Sequence, residues 1–232
     1  PGGAPSNFLA ALAKYGAQTA LIGKVGQDAF GQMLRQTLTE AGISTSGLVA
    51  AEDTFTTLAF VILDAHGNRE FSFARKPGAD TRLSTEDVDF SLIDQTRVFH
   101  FGTLSLTDEP ARSATQAAVA RAKEHGALIT FDPNLRRPLW HSLEEAKEQM
   151  LWGLHQADVV KISDEEVQFL FDLAPEAGAE YLQQCLNIPL VFVTCGSDGC
   201  IFRNAKAHGH VDSLQGIQVV DTTGAGDIFG GS

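Results

Sequence analysis

Positive charge is scarce in this sequence. Seventeen lysines and arginines stand against 29 aspartates and glutamates, a formal net charge of −12 over 232 residues. A field of that sign argues against non-specific binding to nucleic acid or to an anionic membrane surface. No apolar run approaches the roughly 18 continuous residues that a membrane helix needs. Cysteine is rare too: Cys185, Cys195 and Cys200 are odd in number and fit no metal-ligand spacing. Cys195 and Cys200 bracket a turn and can be cross-strand neighbours, but reduced, partly buried thiols in a cytoplasmic protein are the simpler reading. Repeats, heptads, low-complexity tracts, a signal peptide and lipidation motifs are all missing. So is an initiator Met; the chain opens inside one Gly-rich turn and stops just after another, and reads as a piece of a longer protein. What is present is 44% hydrophobic and 20% charged, enough for a sizeable core and too ordered for a disordered chain. An anionic ligand would have to be met by local devices such as helix N-termini, a few arginines or a metal ion.

The apolar pattern alternates between short runs and helical stretches. Ser6 to Lys14 reads as a helix, Ala20 to Val25 as a strand, and Asp28 to Glu40 as a helix closed by Gly42. Thr57 to Leu63 and Arg69 to Ala74 are β-rich runs joined by Asp64-Ala-His-Gly-Asn68, which predicts a hairpin. Strands at Val98–Phe101, Leu128–Phe131, Val159–Ile162 and Leu190–Thr194 then alternate with helices at Glu109–His125, Leu143–Leu154, Asp164–Leu170 and Ala177–Leu186. That rhythm predicts a doubly wound α/β fold with a mostly parallel sheet. The hairpin does not share it, and reads as a separate small β-sheet over the open sheet.

In such folds ligands gather beyond the C-terminal strand ends, where the polar clusters fall. They are Asp132-Pro-Asn-Leu-Arg-Arg137, Ser163-Asp-Glu-Glu166 and Thr194-Cys-Gly-Ser-Asp-Gly199. Taken singly, each has a structural explanation: a turn at Asp132-Pro133, a capping box from Ser163 to Glu166, and turn glycines at 196 and 199. Their shared edge favours a site. The sharpest signal is Asp221-Thr-Thr-Gly-Ala-Gly-Asp227. Small residues at 224–226 entering a helix would turn N–H groups and the helix dipole toward an anion, with a carboxylate at 227 beside it. Phosphoryl transfer needs that pair of donors and base. No G-K-[ST] follows, so this is not a Walker A loop. At the other end, Pro1-Gly-Gly-Ala-Pro-Ser-Asn7 suits a polyol cradle or a simple helix cap by Ser6 or Asn7.

Together these segments resemble the pfkB-type (ribokinase-like) carbohydrate kinases. The resemblance is carried by Gly2-Gly-Ala-Pro-Ser-Asn7 with Gly16 and Gly26, and by Asp221–Asp227. Gly23-Lys-Val-Gly-Gln-Asp28, Phe71–Asp80, Phe99-His-Phe-Gly102, Phe131–Arg136 and Lys161–Glu166 point to the fructokinase branch. It implies ATP- and Mg²⁺-dependent phosphorylation of a sugar, fructose going to fructose 6-phosphate, in one ribokinase-like domain over 1–232 with a β lid at about 55–78. It further implies Asp227 as general base, and an anion hole from the backbone of Gly224, Ala225 and Gly226. Gly2, Gly3 and Asn7 would contact the sugar, with Arg75 reaching in from the lid. Asn134, Arg136 and Glu166 would line the phosphate and Mg²⁺ side, Thr194, Gly196 and Gly199 the nucleotide, and Asp221 and Thr223 a monovalent cation such as K⁺. An isolated small sheet leaves edges and an apolar face to cover, which predicts a homodimer through the lid, and the cysteine usage predicts a cytoplasmic location.

Leu9 stands where that family has a small residue, and Ser163 where the common motif has Asn. The family's first strand, with a sugar-binding Asp, would precede Pro1. Two alternatives are weighed against fructose: a kinase for 2-keto-3-deoxygluconate or an aminoimidazole riboside, with Arg75 suited to a carboxylate, and a fructokinase-like binding protein without catalysis. The presence of Asp227 favours the enzyme.

Overall fold

A computed structural model describes residues 2–63, 69–214, 216 and 222–232. In chain order the helices and strands are α1 (Ala4–Lys14), β1 (Thr19–Ala20), β2 (Gly23–Gly26), α2 (Ala29–Glu40), β3 (Ile43–Ser44), β4 (Leu48–Ala51), β5 (Leu58–Leu63), β6 (Arg69–Ala74), α3 (Phe90–Asp94) and β7 (Val98–Gly102). There follow α4 (Ala111–Glu124), β8 (Leu128–Asp132), α5 (Leu143–Gln156), β9 (Val159–Ser163), α6 (Asp164–Phe171), α7 (Pro175–Gln184), β10 (Leu190–Thr194), β11 (Cys200–Asn204), β12 (His208–Val211) and α8 (Ala225–Gly230).

Among the described residues the main sheet has six strands, in the order β12-β11-β10-β9-β8-β7. Strands β7 to β10 pair in parallel, while β11 and β12 extend the sheet antiparallel. The parallel strands are sandwiched, so their alternate positions are sealed: Ile129, Phe131, Val160, Ile162, Val191 and Val193 are almost wholly buried. Against them α4 lays Ala114, Ala118 and Ala122, and α5 lays Met150 and Leu154. The alanine face lets α4 approach closely, and Gly153 does the same for α5. A methyl group there would meet the Phe131 ring at 2.3 Å.

Register places Gly102 beside Asp132 and Ser163 beside Thr194. All four strands therefore end on one edge, and every polar cluster read from the sequence issues from it.

The N-terminal region is built differently. The single strand predicted over Ala20–Val25 is two short ones, β1 paired with β3 and β2 with β4, both parallel. The chain changes partner at Leu21-Ile22, where Leu21 N–H donates to Ser44 O at 3.0 Å. Helix α2 begins as read, with Asp28 accepting from Gly31 N–H at 2.8 Å and from Thr56 N–H and Oγ1. Burial works against charge on Asp28, but these donors hold its carboxyl below the usual range. Strands β5 and β6 form their own antiparallel pair, from Leu58↔Ala74 to Leu63↔Arg69, separate from the main sheet. The predicted turn at 64–68 lies outside the described residues.

Candidate active site

Helix α8 starts at Ala225 after Gly224, whose φ of +79° is a left-handed conformation that suits glycine. The same position also lacks room, since a Cβ at 224 would sit 3.0 Å from Asn7 Nδ2. Ala225 N–H donates to Thr222 O at 3.1 Å. The N–H groups of Gly226 and Asp227 follow in the first turn, where helices have no internal acceptor to offer. Asp227 sits in that turn, which favours negative charge.

Two amides hold the Asp227 carboxylate. Asn7 Nδ2 donates to Oδ2 at 2.8 Å and Asn134 Nδ2 to Oδ1 at 3.2 Å. Each amide is delivered for a separate reason. Asn7 is carried on α1, which α8 meets without intervening side chains: a Cβ at Gly231 would stand 2.3 Å from the Phe8 carbonyl oxygen. That explains Gly231, whereas a Cβ at Gly230 would meet the Phe8 ring at an ordinary 3.4 Å. The N-cap of α1 is Gly3 (φ +136°), with no side-chain cap. Neither Ser6 nor Asn7 therefore caps the helix, and the capping reading is corrected. Asn134 has φ +48°, which asparagine tolerates better than most residues. Its loop is pinned by Glu166, whose Oε1 accepts from Leu135 N–H at 2.7 Å while Oε2 accepts from Ser163 N–H at 2.9 Å. Ser163 Oγ accepts in return from Glu166 N–H, so the capping box exists and Glu166 braces the loop as well.

Beneath α8, Lys161 Nζ lies 3.1 Å from Asp132 Oδ2. Burial pushes the Asp132 carboxyl up to about 6, with Glu166 and Asp227 adding to the rise and Lys161 opposing it. Its second oxygen, Oδ1, is buried without a hydrogen-bond partner among the described residues. A cavity of about 320 Å³ opens here between α1, α8 and the sheet, bordered by Phe8, His100, Asp132, Lys161, Phe192 and Phe229. His100 stacks on Phe8 at 3.7 Å, and its Nδ1 is 2.9 Å from Thr130 Oγ1. Burial, aided by Lys161, lowers its pKa to about 4, so the ring is neutral.

The other predicted residues fall into place unevenly. Thr194 ends β10, Gly196 opens a 3₁₀ turn, and Gly199 (φ +96°) passes so close to Val211 O that a Cβ would lie 2.1 Å away. Gly2 lines a small cleft with Ser6 and Asn7 against α2. Arg136 Nη1 donates to Leu135 O at 3.2 Å. Thr223 stands in the turn before α8, and Asp221 lies outside the described residues.

Arg75 requires a correction. Expected to reach a ligand from the lid, it is 8% exposed and spends its donors inside the protein. Nε bonds Asp80 at 2.7 Å, Nη1 bonds Thr107 at 2.8 Å, and Nη2 bonds Leu104 O at 2.7 Å. It fastens the end of β6 to the turn after β7. Sequence reasoning, in turn, gave no role to Lys161. Its signal was a lone charge amid the apolar residues of Val159-Val-Lys-Ile162.

The family model for pfkB carbohydrate kinases matches residues 1–232. This chain belongs to that family. It is 44% identical to fructokinase-2 of Solanum lycopersicum and 43% identical to fructokinase-1 of Zea mays, alignments that cover all of this chain and 71% and 72% of theirs. Among solved structures, fructokinase of Vibrio cholerae O395 with fructose, ADP and calcium ion superposes with a TM-score of 0.90 at 37% identity. That match covers all of this chain and 74% of the other. Fructokinase of Xylella fastidiosa with bound ATP gives 0.89 at 35%, over 99% and 71% of the two chains. The fold is ribokinase-like, as the sequence implied, and the kinase carries the α8 motif of its sequence at the C-terminal edge of the sheet.

Proposed function

We propose that this kinase transfers the γ-phosphoryl group of ATP to a hydroxyl of fructose, giving fructose 6-phosphate. The observation that carries the reading is the Asp227 carboxylate, held by two amides in the first turn of α8 beside the N–H groups of 226 and 227. Base and anion hole are thus one rigid unit. Asp227 takes the proton of the attacking hydroxyl. Asn7 and Asn134 fix the carboxylate's orientation, and Asn7 keeps its carbonyl oxygen for the sugar. The backbone of Gly224, Ala225 and Gly226 meets the phosphoryl oxygens. Thr194, Gly196 and Gly199 border the nucleotide from the end of β10, and Gly3 borders the sugar.

The residues present fit a nucleotide that brings its own Mg²⁺. Among the described residues no three His, Cys, Asp or Glu side chains are grouped to cage a metal, and Mg²⁺ commonly keeps several waters and binds through substrate phosphates. Glu166 and the unpartnered Oδ1 of Asp132 are the carboxylate oxygens on that side. Bound Mg²⁺ supplies charge neutralisation on the phosphates. A monovalent cation at Thr223 and Asp221, a cytoplasmic location and a lid formed by β5 and β6 belong to the same proposal. Phe60 and Val61 are exposed on β5, which supports pairing of two ribbons in a homodimer.

Fructose is favoured over an acid such as 2-keto-3-deoxygluconate by the saturated guanidinium of Arg75, and over an aminoimidazole riboside by the higher identity to fructokinases. Sugar-dependent ADP release, assayed with a panel of sugars on the full-length protein, tests the reading. Fructose should give the highest kcat/KM. No sugar-dependent release from any of them would restore the non-catalytic alternative.

A further inference from the structure

Lys161 is a charged residue in the third position of a strand whose neighbours Val160 and Ile162 are fully buried. Its side chain is 15% exposed, and its described ion-pair partner is Asp132, itself 8% exposed. The pair has a direction. Asp132 ends β8 in the floor of the site, whereas the ammonium reaches up to α8: a methyl group on Gly226 would lie 2.7 Å from Nζ. Gly226 shows none of the left-handed φ that marks Gly224. Its lack of a side chain is accounted for by the lysine occupying that space. A cation against a helix N-terminus is disfavoured by the helix dipole, and it is Asp132 that holds the ammonium there. Asp132 in turn feels the charges of Glu166 and Asp227 as well as that of Lys161.

We propose that Lys161 is a positioning residue for phosphoryl transfer, its ammonium held by Asp132 against the first turn of α8 so that fixed positive charge and the height of the anion hole are set together. The inference rests on the kinase reading above. In the transition state, charge on the transferring group grows toward this turn, and a pre-oriented cation needs no reorganisation to answer it. Substrate binding on the solvent side of α8 is left alone.

The test compares Lys161→Met, Asp132→Asn, their double variant and Lys161→Arg in the full-length protein, with kcat and both KM values measured by ADP release. Lys161→Met should lose 10- to 100-fold in kcat with each KM within threefold. Asp132→Asn should lose less, because the ammonium remains, and Lys161→Arg should recover at least a fifth of the parent kcat. The double variant replaces the pair with neutral groups of similar shape and keeps the test valid if the single lysine variant fails to fold. It should stay at least tenfold below the parent. A double variant within threefold of the parent would show that the lysine only neutralises Asp132, and would overturn the inference while leaving the kinase reading intact. So would an Asp132→Asn loss as large as that of Lys161→Met. A parent without sugar-dependent activity would overturn both.

Discussion

Two polar centres of this kinase were both marked by motif residues, and they are built on opposite logic. Around Arg75, charge is saturated: a buried guanidinium bonds Asp80, Thr107 and Leu104 O, with Asp108 at 3.6 Å. Around Asp227, the capacity is left open. Its carboxylate receives two amides yet sits at a helix start with N–H groups to spare, near a buried carboxylate oxygen with no hydrogen-bond partner among the described residues. A saturated centre holds parts together, and an unsaturated one is available to a ligand. The sequence shows Arg75 and Asp227 as equally conspicuous polar residues. Only the count of their satisfied bonds separates brace from site.

The largest effect expected from that contrast is at Asp227. Asp227→Asn keeps the shape but removes the proton acceptor, and its new NH2 faces one of the two donor amides, Asn7 or Asn134, which must turn its carbonyl oxygen toward it. In the full-length protein kcat should fall by roughly 10²–10⁴, the usual worth of general acid–base catalysis, with both KM values little changed. A variant retaining more than half of its kcat would place Asp227 with the braces.

Arg75→Met should do the reverse. Deleting one member of a buried charged network strands Asp80 and Asp108, and costs about 2–4 kcal/mol of stability, read by denaturant unfolding. The fructose KM should move less than threefold. Unchanged stability with a raised KM would instead make Arg75 a ligand contact and erase the contrast.

The floor of the site offers a pH test of the same idea. His100 is held neutral by burial, with a folded pKa of about 4 against an ordinary value of 6.5. The unfolded chain therefore binds the proton first, and stability from this residue is complete above about pH 6.5 and lost as pH falls toward 4. Asp132, raised to about 6, works oppositely: its folded form takes a proton before the unfolded one, so the cost of burying its charge is relieved as pH falls from 6 toward 4. The two trends offset each other in the parent. His100→Gln removes one of them. Relative to the parent, its stability should rise by about 1–3 kcal/mol between pH 7 and pH 4, measured by thermal or denaturant unfolding. A constant difference would mean that His100 is open to solvent.

How much of this was legible in the sequence follows from the range of the interactions involved. Strands β8, β9 and β10 are legible within a residue because their burial leaves short, mostly apolar runs. Helix α2 declared itself through Asp28 and Gly42. By contrast, β11 and β12 have no such pattern; Cys200–Asn204 is a strand because β10 offers it an edge, and His208–Val211 because β11 does. The split of β1 from β2 likewise depends on which partner, β3 or β4, is nearer. Helix α7 starts at Pro175 rather than Ala177 because proline suits a first helical position. At the site, the Gly-rich segments were visible as motifs, but the bonds from Asn7 and Asn134 to Asp227 span 220 and 93 residues. No local pattern encodes such a meeting. The Lys161–Asp132 pair was hidden for the same reason.

The smallest effect, and the finest discriminator, is at Asn7. Its amide nitrogen is committed to Asp227, so the sugar can use only its remaining donor hydrogen and carbonyl oxygen. Asn7→Ala therefore removes two things at once: hydrogen bonds to a neutral ligand, worth on the order of 0.5–1.5 kcal/mol each, and one of the two donors that orient Asp227. The first loss raises the fructose KM severalfold to tenfold while the KM for ATP stays near normal. The second lowers kcat, by less than Asp227→Asn does, because Asn134 still holds the other carboxylate oxygen. Kinetics at saturating and limiting fructose separate the two. A KM change alone would mean that Asn134 suffices to aim the base; a kcat change alone would mean that Asn7 orients the base and leaves the sugar to other residues. If neither constant moved, the 2.8 Å bond between α1 and α8 would be one more brace, and the unsaturated centre would begin at Asn134.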